Sequence, residues 1–232
     1  MIRPSAIAPG SVKICGLREP IHAQAAVGAG ATLLGFIFAP ARRRVDAATA
    51  RAAIDAARAE VGARAVLAVG VFVDAGPDEM NATAEAAGLD LLQLHGDEPP
   101  ELLAELGRPV IKVLRIPAGT DAAHVEFIIA SYERADSPPV AYLLEGFDPA
   151  AHGGTGMKAD WHLAADLARR WPVMLAGGLT PENVGSAIRG AAPWAVDVSS
   201  GVESDGVKDP ARISAFVAAA RAAFLEAGAS LP

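Results

Sequence analysis

Eight short apolar runs, each followed by a segment with helical spacing, repeat along the 232 residues of this chain. The runs fall at 12–16, 33–38, 66–73, 89–95, 110–116, 141–145, 173–176 and 195–199. The segments between them, rich in Ala, Leu and Glu, fall near 19–29, 47–61, 78–87, 99–106, 121–132, 160–170, 182–190 and 210–227. Strand-length runs alternating with helix-length ones predict a parallel sheet, because parallel neighbours need crossovers long enough to hold a helix. Eight such units favour a closed (β/α)8 TIM barrel in one domain, 1–232, with a short irregular segment over 1–11. An open doubly wound sheet is the competitor, but it usually holds about five or six units.

With 52% apolar residues the chain has material for a full core, and nothing in its composition suggests disorder. A net charge of −7 and a pI near 5.2 argue against a nucleic-acid partner. The dense basic patch Arg42-Arg43-Arg44 therefore needs a local explanation. The single cysteine, Cys15, excludes an intrachain disulfide and fits a reducing compartment. MIRPSAIAPGSVK lacks the apolar stretch of a secretory signal, and AVLAVGVFV (65–73) is too short to span a membrane. The expectation is a soluble cytoplasmic protein with no membrane partner.

A buried parallel strand should be almost wholly apolar, so polar residues within one ask for a ligand or for each other. Residues two apart share a strand face. Lys13 and Cys15 pair in this way in VKICG, Gln93 and His95 in LLQLHG, and Asp197 and Ser199 in VDVSS. Catalytic residues of barrel enzymes sit at the C-terminal ends of strands, where these pairs lie. The last two strands also stop in loops of small residues, LAGGLTPENV (175–184) and VDVSSGVE (196–203), each followed by a helix. Thr180 is the expected N-cap of the first of those helices, with Pro181 at its first position. Two such loops side by side suit a phosphate, held by backbone N–H groups of Gly177, Gly178, Ser199, Ser200 and Gly201. The competing reading is that the glycines serve only tight turns.

Together, VKICG (12–16), GFIFAPARRRV (35–45), VGVFVD (69–74), LQLHGDE (92–98), HGGTG (152–156), LAGGLTPENV (175–184) and VDVSSGVESDGVKD (196–209) resemble the phosphoribosylanthranilate isomerase family. The segments span the chain in family order. The resemblance implies a barrel enzyme of tryptophan biosynthesis that uses no cofactor. Its reaction converts N-(5'-phosphoribosyl)anthranilate into 1-(2-carboxyphenylamino)-1-deoxyribulose 5-phosphate, an Amadori rearrangement. Such chemistry needs an acid for the furanose ring oxygen, a base for the proton at C2, a phosphate anchor and a cation for the anthranilate carboxylate.

On that resemblance, Cys15 matches the general base, and Lys13 on the same face is expected to lower its pKa. Glu145 stands where the family has Asp as the general acid, with Asp148 in the same loop as the alternative. Arg44 matches the arginine that meets the anthranilate carboxylate, by its distance from Pro40. Arg42 and Arg43 are then expected to form a solvated face. Gly154, within the Gly153–Gly156 run, belongs to a loop expected to close over the sugar. Asp197 is expected to orient its neighbours below the phosphate. His95 faces the mouth either as a substrate contact or as a satisfied core histidine. His22, His124, His152 and His162 lack metal-ligand spacing, and no dinucleotide fingerprint follows the first strand, so neither metal nor cofactor is expected. Another phosphate-binding barrel enzyme, or a barrel that binds a sugar phosphate without turnover, are the rival functions. The assembly is expected to be a monomer or a homodimer.

Overall fold

The computed structural model describes residues 7–61, 66–117, 119–147, 160–228 and 231. Eight parallel strands close on themselves in sequence order: β1 (Ser11–Cys15), β2 (Leu33–Ile37), β3 (Leu67–Phe72), β4 (Leu91–Leu94), β5 (Val110–Pro117), β6 (Ala141–Phe147), β7 (Val173–Leu175) and β8 (Ala195–Val198). Ser11 of β1 pairs with Ala195 of β8, which shuts the barrel. Around it lie α1 (Pro20–Gly28), α2 (Ala47–Val61), α3 (Pro77–Ala87), α4 (Ala122–Glu133), α5 (Trp161–Ala168), α6 (Val184–Ala191) and α7 (Pro210–Glu226). A two-stranded antiparallel hairpin, β9 (Glu203–Ser204) and β10 (Val207–Lys208), sits between β8 and α7.

Strand alternation sorts the side chains into two cores. Val12, Ile14, Leu34, Phe36, Val196 and Val198 face outward into the layer shared with the helices. Leu33, Val69, Leu91, Ile111, Leu143 and Met174 fill the barrel interior. Each such fully buried side chain contributes about 1.5–3 kcal/mol of burial free energy. Ile7 closes the N-terminal end, its carbonyl accepting from the Trp194 indole at 2.6 Å. Of the polar residues on the inward faces, Ser11 sits at the N-terminal end, while Lys13, Gln93 and Asp197 lie nearer the C-terminal mouth.

Local signals fix several helix starts. Asp121, Asp160 and Asp209 cap α4, α5 and α7 by accepting backbone N–H bonds, and Pro20, Pro77 and Pro210 occupy first-turn positions. Three expectations are corrected. Thr180 does not cap α6; residues 181–183 form a turn and the helix begins at Val184. The Asn183 side chain accepts from Thr180 N at 2.8 Å and donates to Gly178 O, so it closes the loop in place of a cap. No helix directly follows the β8 loop: a three-residue 3-10 turn (Ser200–Val202) and the β9–β10 hairpin intervene. The fourth helical segment is a 3-10 helix, Pro100–Glu105, too short after two prolines to develop α geometry. No described helix is long and apolar enough to cross a membrane.

Candidate active site

One side of the mouth is built on β1 and β8. Lys13 and Asp197 are register partners, and the buried Lys13 Nζ donates to Asp197 Oδ1 at 2.9 Å. Burial works against that ammonium, but Asp197 and the Cys15 thiol outweigh it and hold Lys13 above the usual lysine value. Cys15, one strand-face step above Lys13, is 6% exposed. Lys13 lowers the thiol pKa as expected, and Lys208 helps, but burial pushes it up by more and Asp197 adds to this, so the net direction is upward. Space for the sulfur comes from Gly35, its register partner on β2, where a Cβ would lie 2.9 Å from Sγ.

A second side is built on β4 and β6. Glu145 shares the inward face of β6 with Leu143, and its Oε2 lies 3.0 Å from His95 Nε2. The Gln93 amide is 3.4 Å from His95 Nδ1. A chain of three polar side chains thus runs from the interior up to the mouth, ending on a half-buried carboxyl. Asp148, the alternative acid, and Gly154 lie outside the described residues.

From β6 round to β1 the barrel order passes β7 and β8, whose ends carry the glycine loops. Gly177 and Gly178 have φ of +87° and +62°, a backbone that L side chains rarely adopt. Gly201 packs the two loops together: a Cβ there would lie 1.9 Å from Leu179 O. Ser200 and Gly201 open the 3-10 turn, whose first N–H groups have no acceptor within it. Ser199 spends its hydroxyl on the Cys15 carbonyl at 3.2 Å, which ties the loop after β8 to the end of β1.

The arginine run divides differently from the expectation. Arg42 is exposed as expected and Arg43 is half-buried, but both donate to the Glu203 carboxylate, Arg43 through two nitrogens at 2.5 and 2.8 Å and Arg42 at 2.9 Å. Arg44 is exposed as well. It forms a bridge with Ile37 and lines an open cleft of about 400 Å³ with Arg18, Val45, Asp46 and Thr49. Its guanidinium has no partner among the described residues, so it is available to a carboxylate. Among the described residues, no group of three or more His, Cys, Asp or Glu side chains is placed to hold a metal ion.

The sequence model of the N-(5'-phosphoribosyl)anthranilate (PRA) isomerase family matches residues 12–219. N-(5'-phosphoribosyl)anthranilate isomerase of Roseiflexus sp. (strain RS-1) is 49% identical over 217 residues, covering 92% of this chain and 98% of the relative. The chain belongs to this family. Its fold agrees: the crystal structure of phosphoribosyl anthranilate isomerase from Thermotoga maritima superposes with a TM-score of 0.78 at 35% identity, covering 91% of this chain and 98% of that one. The Thermus thermophilus family member gives 0.75 at 38% identity, with 93% and 99% covered. A further family structure, 34% identical with a TM-score of 0.74, is a complex with reduced 1-(o-carboxyphenylamino)-1-deoxyribulose 5-phosphate; it covers 91% of this chain and 98% of that one. This chain is an isomerase of tryptophan biosynthesis.

Sequence reasoning missed the charged residues that support the mouth from outside it. Lys208, 6% exposed, donates to Ser199 O at 2.8 Å and to Glu203 at 3.0 Å. Lys112 donates to Glu98 at 2.6 Å and to Gly96 O at 2.7 Å, just after His95. Burial raises the Glu98 carboxyl, but Lys112 and the backbone N–H of Asp74 outweigh it and hold the pKa down. The signal was there for Lys112, a lysine inside an apolar strand like Lys13. Its position between Val110 and Leu114 puts it on the outward face of β5, however, so it braces the loop and does not line the mouth.

Proposed function

We propose that this isomerase works by general acid–base catalysis across the barrel mouth, with Cys15 as base and the Glu145–His95 pair as acid. The observation that supports the reading is the order of groups round the mouth: the Glu145 carboxyl on β6, glycine loops after β7 and β8, the thiol on β1, and after β2 an arginine with no partner among the described residues. On this reading the phosphate anchor lies between the two proton-transfer groups and the cation beyond the base. Glu145, held by His95 across the 3.0 Å contact, gives a proton to the furanose ring oxygen. The C1–O bond breaks as the anthranilate nitrogen shares its lone pair, leaving a Schiff base. Cys15 acts as its thiolate, the form that Lys13 and Lys208 favour against burial, and takes the C2 proton; the electrons of that C–H bond move into C1=C2 to give the enolamine. Proton transfer to C1 and loss of the C2 hydroxyl proton then yield the ketone.

Arg44 pairs with the anthranilate carboxylate, a match to its planar fork. The phosphate takes backbone N–H groups of Gly177, Gly178, Ser199, Ser200 and Gly201. Lys13 and Asp197 hold a fixed charge pair beneath the thiol. We place the protein in the cytoplasm, as a monomer or a homodimer; a Thermotoga maritima relative is described as dimeric, with monomers generated from it.

Loss of anthranilate fluorescence during turnover of N-(5'-phosphoribosyl)anthranilate provides the test. The wild-type chain and Glu145→Asp turn over, and Glu145→Gln loses about 10²–10⁴-fold in kcat, the usual weight of one acid–base group. Full activity in Glu145→Gln moves the acid elsewhere.

A further inference from the structure

The carboxylate of Glu203 lies outside the barrel, yet it is the point where two substrate-facing loops meet. Oε1 accepts from Arg43 Nε at 2.5 Å and Lys208 Nζ at 3.0 Å. Oε2 accepts from Arg43 Nη2 at 2.8 Å and Arg42 Nη2 at 2.9 Å. Those bonds fill the roughly four acceptor sites that a carboxylate offers. Burial alone would raise this carboxyl, but Arg43 and Lys208 pull it down to about 2, so it is an anion at any working pH. Each partner leads to a different part of the mouth. Arg43 immediately precedes Arg44, and its Cδ fills the space beside Gly16 that a side chain there would need. Lys208 holds the Ser199 carbonyl at 2.8 Å, and Arg42 also donates to Gly206 O at 2.8 Å.

We propose that Glu203 is a positioning residue for substrate binding, fixing the span between the Arg44 guanidinium and the Ser199–Gly201 backbone. The inference rests on the carboxylate and phosphate roles proposed for those two elements. A substrate charged at both ends reads that span: with it fixed, the carboxylate and the phosphate are bound together, and with it loose each must order its own loop. Glu203 touches neither reacting carbon, so its removal changes binding of ground state and transition state alike, which raises KM and spares kcat.

Glu203→Gln keeps the side-chain shape and removes the charge. KM for N-(5'-phosphoribosyl)anthranilate is expected to rise about ten-fold with kcat within about two-fold, the scale of coupling between groups in one network. Glu203→Asp recovers part of the loss. In an Arg44→Ala background the same Glu203→Gln change is expected to move KM by less than about two-fold, because the anchor it positions has gone. A full further rise in that background, or a fall in kcat with KM unchanged, overturns the proposal while leaving the Arg44 assignment intact. If Arg44→Ala alone leaves KM unchanged, the Arg44 assignment fails and this inference with it. Thermal melting checks the fold of each variant. Should Glu203→Gln not fold, Arg43→Lys replaces it, retaining charge but losing the two-nitrogen fork, with the same pattern expected.

Discussion

Replacing Gly35 with alanine probes the thiol without touching it. A Cβ at position 35 would lie 2.9 Å from Cys15 Sγ, 3.0 Å from Cys15 Cα and 3.1 Å from Lys13 Cε. Ordinary contact begins near 3.4 Å, so these atoms must retreat by three to five tenths of an ångström. One of them is backbone in a paired strand, since Cys15 and Gly35 are register partners, and the β1–β2 seam must open. Overpacking of this kind costs about 1–3 kcal/mol, which for a domain of this size lowers Tm by about 2–12 °C. The sulfur moves as well. Misplacing a catalytic group by about 1 Å costs on the order of 100-fold, so half that displacement predicts about a ten-fold fall in kcat. Arg44 and the glycine loops after β7 and β8 are not displaced, and KM should stay within about two-fold. Fluorescence-monitored turnover gives both constants, and a thermal melt gives the stability loss. A Gly35→Ala enzyme with lowered Tm but unaltered kcat would refute the claim that the thiol position matters.

Two further predictions follow from charge. Cys15 is the only cysteine, so the ultraviolet absorbance of thiolate reports it alone. Because burial holds its pKa up, the thiolate of the free protein should appear only above the usual thiol value of about 8.5; a transition at pH 6–7 would mean that Lys13 outweighs burial. Glu203, held down to about 2, contributes stability that is fully present above its unfolded pKa, near 4.5, and is lost as pH falls toward 2. Allowing for the exposed Arg42 contact, this is worth about 2 kcal/mol at neutral pH. Chemical denaturation at pH 7 and pH 3 should show the gap between wild type and Glu203→Gln shrinking by about half or more at the lower pH, and a pH-independent gap contradicts it.

The barrel was legible because its signals are local. Alternation within VKICG, LLQLHG and VDVSS put Lys13, Cys15, Gln93, His95 and Asp197 on the mouth-facing side, and short-range periodicity separated strand from helix. What escaped depends on partners far away in sequence. Arg42 and Arg43 read as a solvated run until Glu203, about 160 positions on, takes both. The thiol of Cys15 has a lysine beside it, which reads as activation; only its burial, a property of the closed fold, reverses the sign. Thr180-Pro181 has the form of a helix start, and Val184 N does bond to Thr180 O, but residues 181–183 make only a turn before the helix begins at Val184. Glu145 shows the reverse case. Its departure from the family Asp was visible in the sequence, whereas its reach to His95 needed the register of β4 and β6.

Turnover by Cys15→Ala, measured beside wild type, bears most directly on the proton-transfer account. Fluorescence titration with N-(5'-phosphoribosyl)anthranilate should show substrate still bound, and kcat should fall by about 10²–10⁴-fold. A Cys15→Ala enzyme that turns over within a few-fold of wild type would contradict it, whatever the remaining residues do.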